Sequence, residues 1–329
     1  MQDMAAQPGA KVPGRAAKLF QARVFSGKRV PLQALMPHPR LIMAMRFLMT
    51  SRIAMLALLT IVPFGLAPLG AQPSEQTFTK TINLRDRLDL TILSGAGTVQ
   101  ISQGPAGMLR ITGHVKANDW HPTDDRLRDI AARPPIFQDK NSVRVGTSEQ
   151  LAHIIIDYEI EAPADSTIQA SASVGDIFDD GAGEKVQFVT DSGNIHATGL
   201  GGSIDASSKE GDIEVEQIGR GDVKAVSGTG SLELRNLLGA LRASTDAGSI
   251  RVSGVPGGNW TVQTGKGDVE LTLGRAACTI DAQTGSGRVH SDLRIEGANG
   301  SDPGHLAGKI NGGGNNVILQ VGEGDIRIN

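Results

Sequence analysis

Cysteine is nearly absent from this chain, which has one, Cys278, among 329 residues. A single cysteine cannot form an intramolecular disulfide, so apolar burial and backbone hydrogen bonds have to hold the fold. Because Cys278 stands beside an apolar strand position, we expect a structural role, with pairing to another molecule as the alternative. No cysteine follows the N-terminal apolar segment described below, which excludes a lipoprotein anchor.

Aromatic residues are also scarce, at 3% of the chain. Glycan-binding surfaces usually present aromatic side chains as platforms, so an aromatic-lined glycan site is disfavoured. Trp120, beside His121 and Pro122 in a predicted loop, is the one aromatic residue that we single out as a candidate surface contact; ordinary packing is the alternative. Trp260 occupies an inward strand position and is assigned to the core.

Basic residues are few outside the N-terminal segment. Residues 1–71 hold nine of the 32 Lys and Arg but one of the 35 Asp and Glu, which leaves residues 72–329 with a net charge of −11. An acidic surface repels phosphate, so nucleic acid is excluded as a partner and direct docking on anionic lipid is disfavoured.

Long apolar runs are limited to one, over residues 53–66, which follows a basic segment and precedes the small-residue site Leu69-Gly70-Ala71. This order predicts a signal peptide over 43–71 and an exported protein in the periplasm, the outer envelope or at the cell surface. The alternative is a retained membrane anchor, the only membrane association that we expect. Residues 1–42 are interpreted as a disordered extension produced by a start codon placed too early.

A short repeat is what the chain has in abundance. Phrases such as Gly211-Asp212-Ile213-Glu214-Val215 place an apolar residue every nine positions from Ile168 to Val289, apart from two steps of ten and one of eleven. Strict alternation predicts strands with one buried face, and a fixed short period predicts a stacked array. The connectors are too short for helical crossovers.

The fold class predicted is therefore an all-β β-solenoid with two short strands per coil of about 18–20 residues. Glycine can take a positive φ where the chain turns, and we assign it a structural role once per coil. These repeat glycines are Gly175, Gly193, Gly211, Gly230, Gly248, Gly267, Gly287 and Gly324.

Two regions follow from the pattern: an irregular N-terminal β capping region over 72–165, and a solenoid repeat domain over 166–329. The capping region contains one predicted short helix over 124–133. The last repeat phrase lies at 324–328, which predicts an open strand edge at the C-terminal end. An open edge can pair with another chain, so self-association through this edge is expected.

The recurring Gly-Asp-Ile phrases, together with the opening strand Phe78–Ile82 and the segment Tyr158–Pro163, resemble a bacterial family of exported β-solenoids known as putative adhesins and related domains of unknown function. The resemblance covers roughly residues 75–329. It implies a location in the cell envelope or at the surface, and it brings no catalytic residues with it.

Glu214, Glu233 and Arg251 are outward residues at equivalent positions of successive coils, and they are our candidate surface contacts. Neighbouring coils lie about 5 Å apart, so the two carboxylates could act as acid and nucleophile of a polysaccharide-active enzyme. The alternative is a solvated charge ladder that Arg251 balances. We favour the ladder, and no catalytic residue is assigned.

Aspartate recurs one residue before the apolar position, as in Asp212 and Asp268. Calcium-binding nonapeptide repeats place it two residues before that position, in a Gly-Gly-x-Gly frame that is absent here. No metal or other cofactor is therefore expected.

These observations favour a non-enzymatic exported β-solenoid that acts as an adhesin or cell-envelope interaction module for an unknown protein or glycan. One alternative is a self-assembling envelope scaffold, and the other is a polysaccharide-active β-helix enzyme.

Overall fold

The computed structural model describes residues 75–118, 124–149, 151–298 and 302–329, all within the unit Leu66–Asn329. The interpreted extension 1–42, the predicted signal peptide 43–71 and Trp120 lie outside the described residues. The described fold is all-β, with two twelve-stranded sheets and one helix, α1 (Asp124–Ala132). The predicted β-solenoid is confirmed, because the chain passes alternately between two sheets whose strands stack in parallel.

Strands are numbered in chain order, and the two sheets are named A and B. In spatial order, sheet A contains β1 (Glu75–Asn83), β4 (Met108–Ala117), β7 (Ile154–Ala162), β3 (Val99–Gln103), β9 (Ile177–Asp180), β11 (Ile195–Leu200), β13 (Ile213–Gln217), β15 (Leu232–Leu237), β17 (Ile250–Gly254), β19 (Val269–Thr272), β24 (Ile326–Ile328) and β21 (Val289–Ser291).

Sheet B contains, again in spatial order, β22 (His305–Ile310), β20 (Cys278–Ser286), β23 (Asn315–Glu323), β18 (Trp260–Lys266), β16 (Leu241–Ala247), β14 (Val223–Thr229), β12 (Ser203–Glu210), β10 (Lys185–Ser192), β8 (Thr167–Val174), β2 (Asp89–Ala96), β6 (Ser142–Thr147) and β5 (Ile136–Asp139). A coil consists of one strand from each sheet.

The core is a thin layer between the two sheets. Alternation along each strand sends every second residue inward, as with Leu232 and Leu234 of β15, which are both buried. Several sheet B strands contribute a large residue and then alanine, as with Val223 and Ala225 of β14, while others, such as β23 with Val317 and Leu319, carry two large residues. Large side chains from sheet A therefore fill the space that alanine leaves in sheet B.

Trp260 and Cys278 both lie in this core. The indole Nε1 of Trp260 donates a hydrogen bond to the Gly239 carbonyl at 2.9 Å, which satisfies its one polar group. Cys278 has no exposed surface, and burial raises the pKa of its thiol. A thiol in this position packs as a small apolar group and cannot reach another folded molecule.

Repeat glycines stack at the turns that lead into the sheet A strands from β9 to β21. Gly230 has a φ of 155°, and a Cβ there would lie 2.1 Å from the Gly211 carbonyl oxygen of the neighbouring coil. Both the conformation and the close approach of two backbones exclude a side chain. A positive φ recurs at the other glycines assigned to this role, which are Gly175, Gly193, Gly211, Gly248, Gly267, Gly287 and Gly324.

The polar residue after each glycine links one coil to the next. Asn194 N–H donates to Asp176 Oδ1 at 2.7 Å, Asp212 N–H donates to Asn194 Oδ1 at 2.9 Å, and Ser231 N–H donates to Asp212 Oδ1 at 2.7 Å. The Gly-Asp-Ile phrase therefore encodes a side-chain-to-backbone ladder along the turn. This use of the carboxylates accounts for the recurring aspartate without a metal ion.

A second ladder is built from buried hydroxyl groups that stand three residues before a repeat glycine. Ser227 Oγ donates to the Gly211 carbonyl at 2.9 Å, and Thr245 Oγ1 donates to the Gly230 carbonyl at 2.9 Å. Sequence reasoning missed this ladder, although Ser or Thr at the third position before glycine is its visible signal. The other members are Thr190, Ser208, Thr264 and Thr284.

At the N-terminal end, the coil β2–β3 lies between the coil β6–β7 and the coil β8–β9, in register with both. Antiparallel strands cover the outer side of β6–β7: β4 and then β1 extend sheet A, and β5 extends sheet B. Helix α1 contacts β1 and β4, and its Leu127 is fully buried.

The prediction that 324–328 forms an open C-terminal edge is wrong. The coil β23–β24 is inserted between β18–β19 and β20–β21, so that β24 has β19 on one side and β21 on the other. Asn329 itself exchanges backbone hydrogen bonds with Leu271 and Leu273. Beyond β20, the antiparallel strand β22 ends sheet B. The strand β24 is therefore paired on both sides and is not an exposed edge.

Candidate functional site

One outward residue from each coil forms a column along sheet A, from β7 to β21. The structure places Glu214, Glu233 and Arg251 on the consecutive strands β13, β15 and β17, as direct register partners. The full column in spatial order is Glu159, Gln100, Phe178, His196, Glu214, Glu233, Arg251, Glu270, Arg327 and His290. We call it the sheet A column.

An ion-pair cluster occupies the middle of this column. Arg235 contacts Glu214 through Nη1 and Glu233 through Nη2, the latter at 2.7 Å. His196 Nδ1 lies 2.8 Å from the second carboxylate oxygen of Glu214. The hydrogen bond that Arg235 donates to Glu233 raises the pKa of the guanidinium, and Glu214 acts in the same direction. One guanidinium therefore bridges both carboxylates and offsets one of their two negative charges.

Sequence reasoning missed Arg235. It stands two residues after Glu233, and this spacing puts the two side chains on the same face of β15. A general acid needs a carboxyl group that stays protonated in an apolar environment, next to one that is ionised. Here both carboxylates are partly exposed and share a cation, so the cluster has the chemistry of a charge ladder.

A polar groove of about 510 Å³ lies on sheet A next to this cluster. Arg251, Glu270, Arg288, His290 and Arg327 line it. Arg251 lies 3.6 Å from Glu270, and its side chain is 62% exposed. Its guanidinium is therefore only loosely held and can donate to a ligand.

The floor of this groove belongs to the turn ladder. Asp325 N–H donates to Asp268 Oδ1 and Arg288 N–H donates to Asp325 Oδ1, both at 2.8 Å. Each carboxylate uses one oxygen for the neighbouring coil and keeps one for other contacts. The groove thus offers cationic donors beside anionic acceptors, which suits polar ligands with many hydrogen-bonding groups.

A second groove, of about 530 Å³, lies on the outer face of sheet B. Lys185, Asp205, Lys224 and Arg242 line it, and Lys224 Nζ bonds Asp205 Oδ2 at 2.9 Å. Nothing in the repeat pattern distinguishes the two faces, because both carry polar residues at alternate positions.

Asp179 is a buried ionisable residue at an inward position of β9. It is 2% exposed, between Ile101 and Ala197 in register. Its Oδ1 accepts the Ala182 N–H at 3.1 Å, and its Oδ2 has no hydrogen-bond partner among the described residues. Burial raises the pKa of this carboxyl to about 8, against a smaller lowering by the Ala182 hydrogen bond.

Residues 89–329, most of the chain, match the family described as Toastrack DUF4097. The chain belongs to this family. The resemblance drawn from the Gly-Asp-Ile phrases is thereby confirmed, and the toastrack assignment covers both sheets except for β1. No curated protein matches the chain.

Three solved structures resemble this toastrack chain. A putative adhesin from Bacteroides fragilis shares 16% identity, with 79% of this chain and 100% of that chain covered at a TM-score of 0.38. A putative cell adhesion protein from Clostridium sporogenes shares 15%, with 78% and 99% covered at 0.26. A putative lipid binding protein from Parabacteroides distasonis shares 10%, with 76% and 96% covered at 0.33.

Two further observations concern the described ranges of the toastrack chain alone. Their His, Cys, Asp and Glu side chains form no group of three or more that is placed to hold a metal ion. The helix in these ranges is too short and too polar to cross a bilayer.

Proposed function

We propose that this protein is an exported, non-enzymatic interaction module of the cell envelope, which binds a polar partner through the outer face of sheet A. The observation that carries the proposal is the groove lined by Arg251, Glu270, Arg288, His290 and Arg327. It gathers exposed cationic and anionic groups from adjacent coils of a rigid array. Sites built on strands hold their side chains more firmly than sites built on loops.

The charge cluster beside the groove supports a binding role over a catalytic one. Glu214 and Glu233 share Arg235, so neither carboxylate is set apart as an acid or as a nucleophile. A fixed row of ion pairs gives a partner's polar groups a defined pattern to match, which contributes specificity more than affinity.

The sequence supports export through the apolar segment 53–66 and the small-residue site at 69–71. The absence of disulfides is compatible with an exported fold of this kind, since two continuous sheets supply the backbone hydrogen bonds that hold it without the cross-links of a small secreted domain.

The test uses the chain 72–329, labelled and added to cells from which the gene has been deleted. We expect saturable binding that weakens with added salt, because exposed charges are screened. Arg251→Gln combined with Arg327→Gln should reduce the apparent affinity about tenfold, equivalent to about 1.4 kcal/mol.

The matched control removes the same charge from the opposite face, with Lys185→Gln and Arg242→Gln. Binding that falls equally in both variants would point to overall charge and contradict a sheet A site. Protease treatment of intact wild-type cells then tests location. Loss of the 72–329 chain indicates surface exposure, and protection until permeabilisation indicates that the protein lies inside the envelope.

A further inference from the structure

The inserted coil β23–β24 explains an irregularity in the repeat. The step from Val269 to Ile280 is eleven residues long, where nine is usual. In the structure, the connector between β19 and β20 spans the inserted coil. It therefore covers twice the usual spacing of about 4.8 Å between neighbouring coils. Two additional residues are enough for this, at about 3.3 Å each. The chain thus leaves a slot one coil wide.

The coil that fills this slot continues the outward polar and inward apolar columns of the stack, while Val321 takes the place of the hydroxyl residue between Thr264 and Thr284. Gln320 stands between Gln263 and Gln283, and Gln263 Nε2 donates to Gln320 Oε1 at 2.6 Å. Val317 and Leu319 are fully buried between the flanking coils. A segment with inward apolar residues and outward polar residues in this register is what the slot accepts.

The two sides of the slot also match each other. Thr264 and Thr284 both stand three residues before a repeat glycine, and their hydroxyl groups donate to the Gly248 and Gly324 carbonyls at 2.9 and 2.8 Å. If β23–β24 leaves, Thr284 comes into the same relation to the carbonyl of Gly267. The coil β20–β21 can therefore stack directly on β18–β19 in the ordinary repeat register.

This closure makes the inserted coil easier to release than its neighbours. Release of β23–β24 breaks its interfaces with β18–β19 and with β20–β21. Closure then forms one interface between these two flanking coils. Within the described residues, the coil is joined to the rest only through the turn 311–314, where Asn311, Gly312 and Gly313 have positive φ. Such a turn can open without disturbing the flanking strands.

We propose that β23–β24 is an exchangeable coil, and that the slot accepts the same coil from a second copy of this chain. The occupant is a second copy because the slot requires alternating inward apolar and outward polar residues in register with the flanking coils. This chain's own coil β23–β24 already meets both requirements. The exchanged and unexchanged states contain the same contacts except at the turn 311–314, so protein concentration sets the balance between them.

Paired cysteines at three exposed or half-exposed positions test this, with oxidation and non-reducing electrophoresis as the readout. A disulfide needs Cα atoms about 4.4–6.8 Å apart. Gln263→Cys with Gln320→Cys in one chain should cross-link at once, since the two residues are register neighbours. Positions 263 and 283 are about 10 Å apart while β23–β24 is in place. A chain with Gln263→Cys and Gln283→Cys should therefore cross-link only after this coil is released.

Exchange is tested by mixing two single variants. A mixture of Gln263→Cys and Gln320→Cys chains should form disulfide-linked dimers that increase with concentration and incubation time. A mixture of Gln263→Cys and Gln283→Cys chains is the control, because these positions do not meet across an exchanged pair. Dimers in the first mixture alone support the proposal.

Two results would overturn it. If the Gln263→Cys, Gln283→Cys chain never cross-links, the coil is not released. If that chain cross-links but the mixed single variants stay monomeric, release occurs without a second copy as the occupant.

Discussion

At the scale of single residues, Asp179 occupies an inward position that the adjacent coils give to Ile101 and Ala197. Burial raises the pKa of its carboxyl to about 8, while an unfolded aspartate titrates near about 4. The folded state therefore keeps the proton over a range in which the unfolded state has lost it. The contribution of this residue to stability is greatest below about pH 4 and falls as the pH rises towards 8.

Asp179→Asn should remove this dependence, because asparagine keeps an acceptor for the Ala182 N–H and carries no charge. We expect its melting temperature to exceed that of the wild type at pH 8 and to converge with it near pH 4. Thermal unfolding across this range measures the difference. Asp180→Asn, at the exposed neighbouring position, is the control, and parallel profiles for all three proteins would rule out Asp179 as the source.

Gly230 tests the backbone contact between coils. Its φ is 155°, and the methyl group of an alanine would lie 2.1 Å from the Gly211 carbonyl oxygen. Gly230→Ala should therefore destabilise the fold by about 3 kcal/mol. Gly201→Ala is the matched control, because a Cβ there meets nothing within 4 Å. Urea unfolding should show a large shift for the first variant and little for the second; similar midpoints would contradict a structural requirement for glycine.

At the scale of elements, the turn ladder is the feature that the Gly-Asp-Ile phrase creates. Asp212 Oδ1 accepts the Ser231 N–H at 2.7 Å from the neighbouring coil. Asp212→Ala should therefore cost about 1 kcal/mol of unfolding free energy. Asp212→Asn should cost much less, because Asn194 already serves as acceptor in the same column. Chemical unfolding distinguishes this from a general charge effect, in which both variants would change alike.

The strands and their faces were predictable from the sequence, because alternation of period two and a repeat of nine leave little freedom. The contacts between side chains within the candidate site were less predictable. Glu214, Glu233 and Arg251 follow from the repeat alone, but Arg235 joins the cluster through its own rotamer, which no period specifies. Trp120 lies outside the described residues, and its role stays a prediction.

At the scale of the whole molecule, the order of the coils could not be read from the repeat. The repeat coils present the same glycine and apolar columns to their neighbours, so the sequence does not specify which coil lies next to which. The eleven-residue step from Val269 to Ile280 was the one signal of the insertion. The same kind of insertion occurs at the N-terminal end of the stack, where the coil β2–β3 lies between the coils β6–β7 and β8–β9.

The insertion predicts different outcomes for the same substitution in two coils. Leu319 and Leu234 are both fully buried inward residues, and an aspartate at either position costs about 3 kcal/mol or more if its coil stays in place. Leu319→Asp can escape this cost by expelling β23–β24, after which β20–β21 closes onto β18–β19. Leu234→Asp has no such route, because β15 is continuous with the chain on both sides.

We therefore expect Leu319→Asp to keep a cooperative unfolding transition and to speed the Gln263→Cys, Gln283→Cys cross-link. Leu234→Asp should lower the unfolding midpoint strongly and leave that cross-link slow. Circular dichroism melts and the rate of disulfide formation measure both effects. Equal destabilisation, with no change in cross-linking, would mean that the inserted coil is as firmly integrated as any other, and that the ends of this solenoid are closed by insertion alone.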